Sequence, residues 1–113
     1  MATPKLQVEL PSAVQCYFEA VAAKSAVSIA NCFVRDGLVI DVDRRIEGRE
    51  AIREWAAQEV IGGVYHIIRA QPAGEQVSVL LTFAPGDSEP FRARYDFEIH
   101  EEKIVKVDLQ YAY

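Results

Sequence analysis

The chain has 113 residues, of which half are hydrophobic and 26% are charged, a composition typical of one globular domain spanning residues 1–113 with its core in about 11–111. The formal net charge is −5 and no basic patch is concentrated anywhere, which excludes nucleic acid as a partner. No apolar run reaches the ~20 residues that cross a bilayer, so no membrane-spanning helix is predicted.

The N-terminal segment and the two cysteines indicate a cytoplasmic protein. Residues 1–10 include Lys5 and Glu9 and lack an apolar stretch, so they are not expected to form a signal peptide. Cys16 and Cys32 occupy apolar positions of predicted helices, and no Cys/His spacing resembles a set of metal ligands. We therefore predict two buried free thiols in a reducing cytoplasm, and neither a metal nor another cofactor.

Two helices are predicted at the start of the chain. The Ser12-x-x-Gln15 motif is a capping box for the first helix. Its apolar stripe includes Tyr17, whose ring is then turned inward and whose hydroxyl needs a hydrogen-bond partner. Ser25 is expected to cap a second, shorter helix, which ends at Asp36-Gly37 because glycine adopts a positive φ easily.

A short strand and a third helix follow. The strand is predicted over 38–42, where alternation places Asp41 on the same face as Val39. A charged loop over 43–47 leads to an amphipathic helix over 48–60, which turns Trp55 inward. The pattern leaves open whether Asp41 faces solvent or a pocket.

From residue 64 the hydrophobic period changes to two, which is typical of strands. Four strands are predicted, over 64–71, 76–83, 91–100 and 103–111. Their connections are too short for crossovers, so the sheet is expected to be an antiparallel meander. Helices followed by a meander indicate an α+β fold.

The order of these elements and three stretches of sequence resemble a known superfamily. The stretches are residues 33–41 (FVRDGLVID), 47–55 (EGREAIREW) and 97–104 (FEIHEEKI). They resemble the nuclear-transport-factor-2-like superfamily, in particular its SnoaL-like polyketide cyclases and ketosteroid isomerases. The resemblance implies a cystatin-like α+β barrel, in which a cone-shaped, curved antiparallel sheet packs around the N-terminal helices and encloses an apolar pocket.

The resemblance also implies a site. In ketosteroid isomerases, an aspartate at the end of the first short strand is the base and a tyrosine of the first helix binds the oxyanion. Asp41 and Tyr17 occupy the matching positions. The second oxyanion donor of that family is an aspartate on the penultimate strand. Here Asp96 falls on the polar face and Tyr95 on the inward face, so either Tyr95 replaces this donor or it is missing.

Asp41 and Tyr17 together suit chemistry that proceeds through an enolate. A carboxylate can take a proton from the carbon next to a carbonyl, and a hydroxyl can stabilise the oxygen that becomes negative. Each residue also has a structural alternative. Asp41 could pair with Arg44 at the surface, and Tyr17 could be a core residue bonded to a backbone carbonyl.

Other candidate residues would bind the apolar body of a ligand. His66 is assigned to the pocket side of its strand, where it is a ligand contact or a further candidate base. The remaining candidates are aromatic residues on inward faces, which could equally form the core: Phe33, Trp55, Phe83, Tyr95, Phe97 and Tyr111.

The outer face of the last strands alternates opposite charges, which predicts a homodimer formed through that face. We therefore expect a protein that binds a small apolar molecule, as an isomerase or a cyclase with an aspartate base and a tyrosine donor. The alternative is a non-catalytic ligand-binding or dimerising accessory domain of the same fold.

Overall fold

The computed structural model describes residues 10–86 and 89–112. Two helices, α1 (Ser12–Ala22) and α2 (Ala26–Asn31), lead into a hairpin of β1 (Phe33–Asp41) and β2 (Arg44–Glu47). Helix α3 (Arg49–Trp55) continues as a π-helical segment (Ala56–Val60). Strands β3 (Val64–Ala73), β4 (Gln76–Ala84), β5 (Phe91–His100) and β6 (Lys103–Tyr111) complete the fold. The predicted absence of a signal peptide concerns residues 1–9, which lie outside the described part.

The strands form one curved, six-stranded sheet in the order β2-β1-β6-β5-β4-β3. The predicted antiparallel meander of the four long strands is confirmed. The sheet is not antiparallel throughout, because β1 pairs with β6 in parallel. The chain between these two strands carries a helix and four strands, which is ample for the crossover that parallel pairing needs.

The core lies between the inner face of the sheet and the helices. Alternate residues of β4 and β5 are buried, as their period of two predicts. Helix α1 packs its own apolar stripe against them, and Tyr17 within that stripe is fully buried. None of the helices in the described residues is long and apolar enough to cross a membrane.

The structure corrects the sequence prediction around Gly37. Helix α2 already ends at Asn31, and strand β1 begins at Phe33. Gly37 therefore lies inside a strand and does not have a positive φ. A Cβ at this position would lie 2.9 Å from the Cβ of Phe33, so glycine is needed for a close approach and not for a turn.

Three further local predictions can be compared with the structure. The capping box is wrong, because Pro11 is the N-cap of α1 and the Gln15 side chain donates to the Leu10 carbonyl. The cap of α2 is confirmed, since the Ser25 hydroxyl accepts from the Ser28 backbone amide at 3.1 Å. The charged loop over 43–47 is mostly strand β2, and the hairpin turn is Val42-Asp43, whose φ values are 49° and 72°.

The prediction of two free thiols is also wrong. Cys16 and Cys32 form a disulfide that joins α1 to the end of α2. Packing of the two helices brings the Cα atoms of Cys16 and Cys32 to 6.1 Å from each other, a separation that a disulfide spans. Cys16 is exposed and Cys32 is buried, so the apolar positions predicted burial correctly for one of them. The expectation of a reducing cytoplasm loses its support from the cysteines.

Reduction of this disulfide is expected to lower the free energy of unfolding by about 3 kcal/mol, because it releases a loop of roughly 15 residues in the unfolded chain. Urea denaturation with and without dithiothreitol measures the change. A Cys16→Ala/Cys32→Ala variant is the control and should be equally destabilised but insensitive to reductant. Equal stability of the oxidised and reduced wild type would contradict the expected contribution.

Candidate functional site

A cavity of about 420 Å³ opens at one end of the curved sheet. Its walls come from the end of β1, the end of α3 with the π-helical segment, and strands β3 to β6. Pockets of this size that are mainly apolar and carry a few polar groups are typical of small-molecule sites. Its lining includes acidic and aromatic side chains: Asp41, Trp55, Glu59, Tyr65, Phe83, Phe91, Tyr95 and Tyr111.

Three tyrosines form a hydrogen-bonded chain beneath and along the cavity, which we call the tyrosine row: Tyr17, Tyr65 and Tyr95. The hydroxyl oxygens of Tyr17 and Tyr65 are 3.3 Å apart, and those of Tyr65 and Tyr95 are 3.0 Å apart. Tyr65 and Tyr95 line the cavity, whereas Tyr17 is enclosed behind them with no exposed surface. The row therefore connects helix α1 to the cavity wall.

The tyrosine row is kept in its neutral, hydrogen-bonding form by its surroundings. Burial is the main cause that raises the pKa of Tyr17 far above its ordinary value, and the negative charge of Asp41 adds to it, while the bond to Tyr65 acts in the opposite direction. Burial likewise raises the pKa of Tyr65 and of Tyr95. All three residues consequently keep their hydroxyl protons at neutral pH and can act as donors.

Asp41 lines the cavity and is held by two donors on one oxygen. Its Oδ2 accepts from the Trp55 indole nitrogen at 3.1 Å and from the Arg44 guanidinium at 2.7 Å. Arg44 also binds Glu59 of the π-helical segment at 2.6 Å, so it links the β1–β2 hairpin to the opposite wall. Within residues 10–86 and 89–112, no side chain or backbone amide donates to the other oxygen, Oδ1.

Comparison with known proteins identifies the fold. No protein-family model and no curated protein sequence matches the chain. Among solved structures, an NTF2-like protein of unknown function from Cytophaga hutchinsonii is similar with a TM-score of 0.80 and 11% identity, over 96% of this chain and 95% of that one. The chain has the nuclear-transport-factor-2-like fold. The α+β fold implied by the resemblance in sequence is thereby confirmed, apart from the parallel pairing of β1 with β6.

Two other solved structures with this nuclear-transport-factor-2-like fold bear on the cavity. A candidate polyketide cyclase from Sinorhizobium meliloti is 23% identical, with a TM-score of 0.79, over 89% of this chain and 95% of that one. A computationally designed 17-OHP binder is 14% identical, with a TM-score of 0.76, over 88% of each chain. At these identities the likeness establishes the fold and leaves the ligand of this chain to its own residues.

Within the nuclear-transport-factor-2-like fold, the structure brings some of the predicted site residues to the cavity and places others behind it. Asp41 faces the cavity with Val39 buried on the same side, as alternation predicts. The predicted residues that line the cavity are Asp41, Trp55, Phe83, Tyr95 and Tyr111. Phe33 and Phe97 are buried and do not line it; their ring centroids are 6.5 and 5.8 Å from that of Tyr17.

The assignment of His66 to the pocket is wrong. In the register of the sheet, His66 lies opposite Thr82 and is exposed, whereas its neighbour Tyr65 lies opposite Phe83 on the inner face. Sequence reasoning missed Tyr65 for this reason. The signal was present, because Tyr65 and Ile67 alternate with the exposed residues around them, but a bulge after Ile67 ends that alternation.

On β5, where the resembled family has an aspartate as its second oxyanion donor, the inner face of this chain carries the hydroxyl of Tyr95. Tyr95 is 5% exposed and lines the cavity. Asp96 lies on the outer face, where it accepts a hydrogen bond of 2.7 Å from the Ser78 hydroxyl. Tyr95, and not Asp96, is therefore the residue of this pair that lies beside the cavity.

Proposed function

We propose that this protein binds a small, mainly apolar carbonyl compound in its cavity and moves a proton on the carbon next to the carbonyl, as an isomerase or a cyclase. The observation that carries the proposal is the joint presence of Asp41, Tyr65 and Tyr95 on the walls of one aromatic cavity. These groups supply the two functions that enolate chemistry needs, a base and donors to the oxygen.

The roles follow from the partners of each group. Asp41 uses Oδ2 for Trp55 and Arg44, which fixes the side chain and leaves Oδ1 for a substrate proton. Neutral tyrosine hydroxyls would donate to the carbonyl oxygen and stabilise the charge that develops on it. Aromatic side chains such as Phe83 would hold the apolar body of the substrate and exclude water, which strengthens these hydrogen bonds.

The similar structures support the binding part of this proposal. The designed 17-OHP binder shares the fold, and the candidate polyketide cyclase covers almost the same length of chain. We extend from these proteins to this chain only the use of the cavity for a small organic molecule. The proposed chemistry depends on the residues of this chain alone.

A second candidate function is ligand binding without catalysis. The ion pair between Asp41 and Arg44, and that between Arg44 and Glu59, favour it, because they give Asp41 a structural role in tying the β1–β2 hairpin to the π-helical segment, which needs no proton transfer. In this case the same cavity and the same tyrosines would hold the ligand, and no proton would be moved.

One experiment separates the two functions. The ketone 2-acetylnaphthalene is titrated into the protein, and binding is followed through the fluorescence of Trp55, the single tryptophan of the chain, which lines the cavity. Exchange of the methyl protons of the ketone for deuterium is then followed by NMR in D₂O. Binding with accelerated exchange supports the isomerase or cyclase, and binding without it supports the second candidate. Absence of binding would overturn both.

We also propose that the protein forms a homodimer through the outer face of the sheet. On this face Asp96 of β5 lies directly opposite Asp108 of β6, a like-charged pair that is unfavourable in isolation. Arg94, one row away, is 3.3 Å from Asp96 and stays half-exposed. A two-fold contact would bring the arginines of one copy towards the carboxylates of the other.

Arg94→Glu is therefore expected to weaken the dimer roughly tenfold or more, because like charges would then meet across the two-fold axis. Analytical ultracentrifugation over a range of concentrations measures the effect. Lys24→Glu, an equal charge change on an exposed residue between α1 and α2 and not on the sheet, is the control and should leave the association unchanged. A wild type that sediments as a monomer at all concentrations would refute the proposal.

A further inference from the structure

We infer that the tyrosine row selects ligands by an acceptor oxygen, with Tyr65 and Tyr95 as the contacting residues and Tyr17 as a positioning residue that sets the direction of the hydrogen bonds. The inference rests on the proposed function, because it concerns the same cavity. It differs from the role that the resemblance implies for Tyr17, which is direct contact with the ligand.

The number of hydroxyl protons in the tyrosine row determines which tyrosine donates in the hydrogen bond between Tyr17 and Tyr65. Three hydroxyls carry three protons, and the two hydrogen bonds of the row use two of them. The third proton belongs to one member of the row. Within the described part of the chain, Tyr65 is the one hydrogen-bond partner of the Tyr17 hydroxyl, and Tyr17 has no exposed surface. If Tyr17 kept the third proton to itself, an enclosed donor would be left without an acceptor, which is unfavourable.

Tyr17 therefore donates to Tyr65, and the third proton is left with Tyr65 or Tyr95. Both of these residues line the cavity. In either arrangement the row presents a spare O–H to the ligand, and a bond donated into a hydroxyl makes that hydroxyl a stronger donor in turn. The ligand group that matches this end of the cavity is a carbonyl or another oxygen acceptor.

The charges around the row agree with this direction. Asp41 is the acidic group that acts on the row from β1, and its negative charge opposes ionisation of Tyr17 and Tyr95. The row is thus a neutral donor and not an anionic acceptor. A ligand that offers only donors to this end of the cavity would leave the spare O–H without a partner.

The test uses two probes of nearly equal shape, the ketone 2-acetylnaphthalene and 2-isopropenylnaphthalene, in which a CH₂ group replaces the carbonyl oxygen. The wild type should bind the ketone about tenfold more tightly than the alkene. The ratio should fall to about one in the double variant Tyr65→Phe/Tyr95→Phe, which removes both hydroxyls that can hold the spare proton at the cavity. The affinity for the alkene should stay unchanged in this variant, which also shows that the cavity has kept its fold. Ser78→Ala, which removes a hydroxyl on the outer face, is a matched control.

A spectroscopic measurement tests the role of Tyr17. The infrared carbonyl band of the bound ketone should move to lower wavenumber when the row donates to it. Tyr17→Phe should reverse part of this shift although Tyr17 does not line the cavity. Equal affinities for both probes in the wild type, or a band that Tyr17→Phe leaves unmoved, would overturn the inference and leave the proposed function standing. Failure of both probes to bind would overturn the two together.

Discussion

Above about pH 10, the free energy of unfolding is expected to fall by about 4 kcal/mol for each pH unit. The tyrosine row is the cause, because burial raises the pKa of Tyr17, Tyr65 and Tyr95 in the folded protein. In the unfolded chain each tyrosine loses its proton near pH 10, while the folded state keeps all three protons. Each residue then favours the unfolded state by about 1.4 kcal/mol per pH unit.

The free energy of unfolding falls with rising pH because the pKa values of the three tyrosines are raised in the folded protein. The contribution of the row is fully present below the ordinary tyrosine pKa of about 10 and is lost as the pH rises towards the folded value. Urea denaturation at several pH values between neutrality and strong alkali gives the slope. Tyr17→Phe should reduce the slope by about a third, since it removes one of three linked protons. Unfolding that is independent of pH across this range would show that the tyrosines ionise without unfolding.

The sequence predicted the parts of the fold in which pattern and tertiary structure agree. The buried residues of β4 and of β5 lie at every second position, and the helical stripe that contains Tyr17 packs inward as expected. The predictions from the sequence were wrong where a local signal and the packing of the folded chain favour different structures. Gly37 resembles a helix stop, but it serves a close contact with Phe33 inside a strand.

The site shows the same division. Alternation along β1 put Asp41 on the face of Val39 but left open whether that face meets solvent or a pocket, and the structure puts it at the cavity. In β3 the prediction chose His66 and not Tyr65 as the pocket residue. A bulge interrupts the alternation of this strand, and its register is decided by pairing with β4. The contact between Cys16 and Cys32 depends on how α1 and α2 pack, which spacing along the chain does not determine.

The interactions of Asp41 show why one variant separates anchoring from catalysis. Trp55 and Arg44 need only an oxygen that accepts hydrogen bonds, and an asparagine side chain offers one in the same position. An amide, however, cannot take up a proton from carbon. Asp41→Asn therefore preserves much of the geometry while it removes the base.

We expect Asp41→Asn to slow the exchange of the ketone methyl protons by about 100-fold to 10,000-fold, the usual contribution of a positioned base. Binding of the ketone should persist, because the apolar walls and the donors Tyr65 and Tyr95 remain. Exchange rates measured by NMR at saturating protein, with affinity from Trp55 fluorescence, provide the two readouts.

Asp43→Asn is the matched control for this prediction. Asp43 is an exposed carboxylate in the same hairpin turn and does not line the cavity, so its variant changes the charge of the region and leaves the base in place. If both variants slow the exchange equally, the effect comes from net charge near the cavity. If neither does, Asp41 is an anchor for Trp55 and Arg44, and the cavity binds its ligand without chemistry.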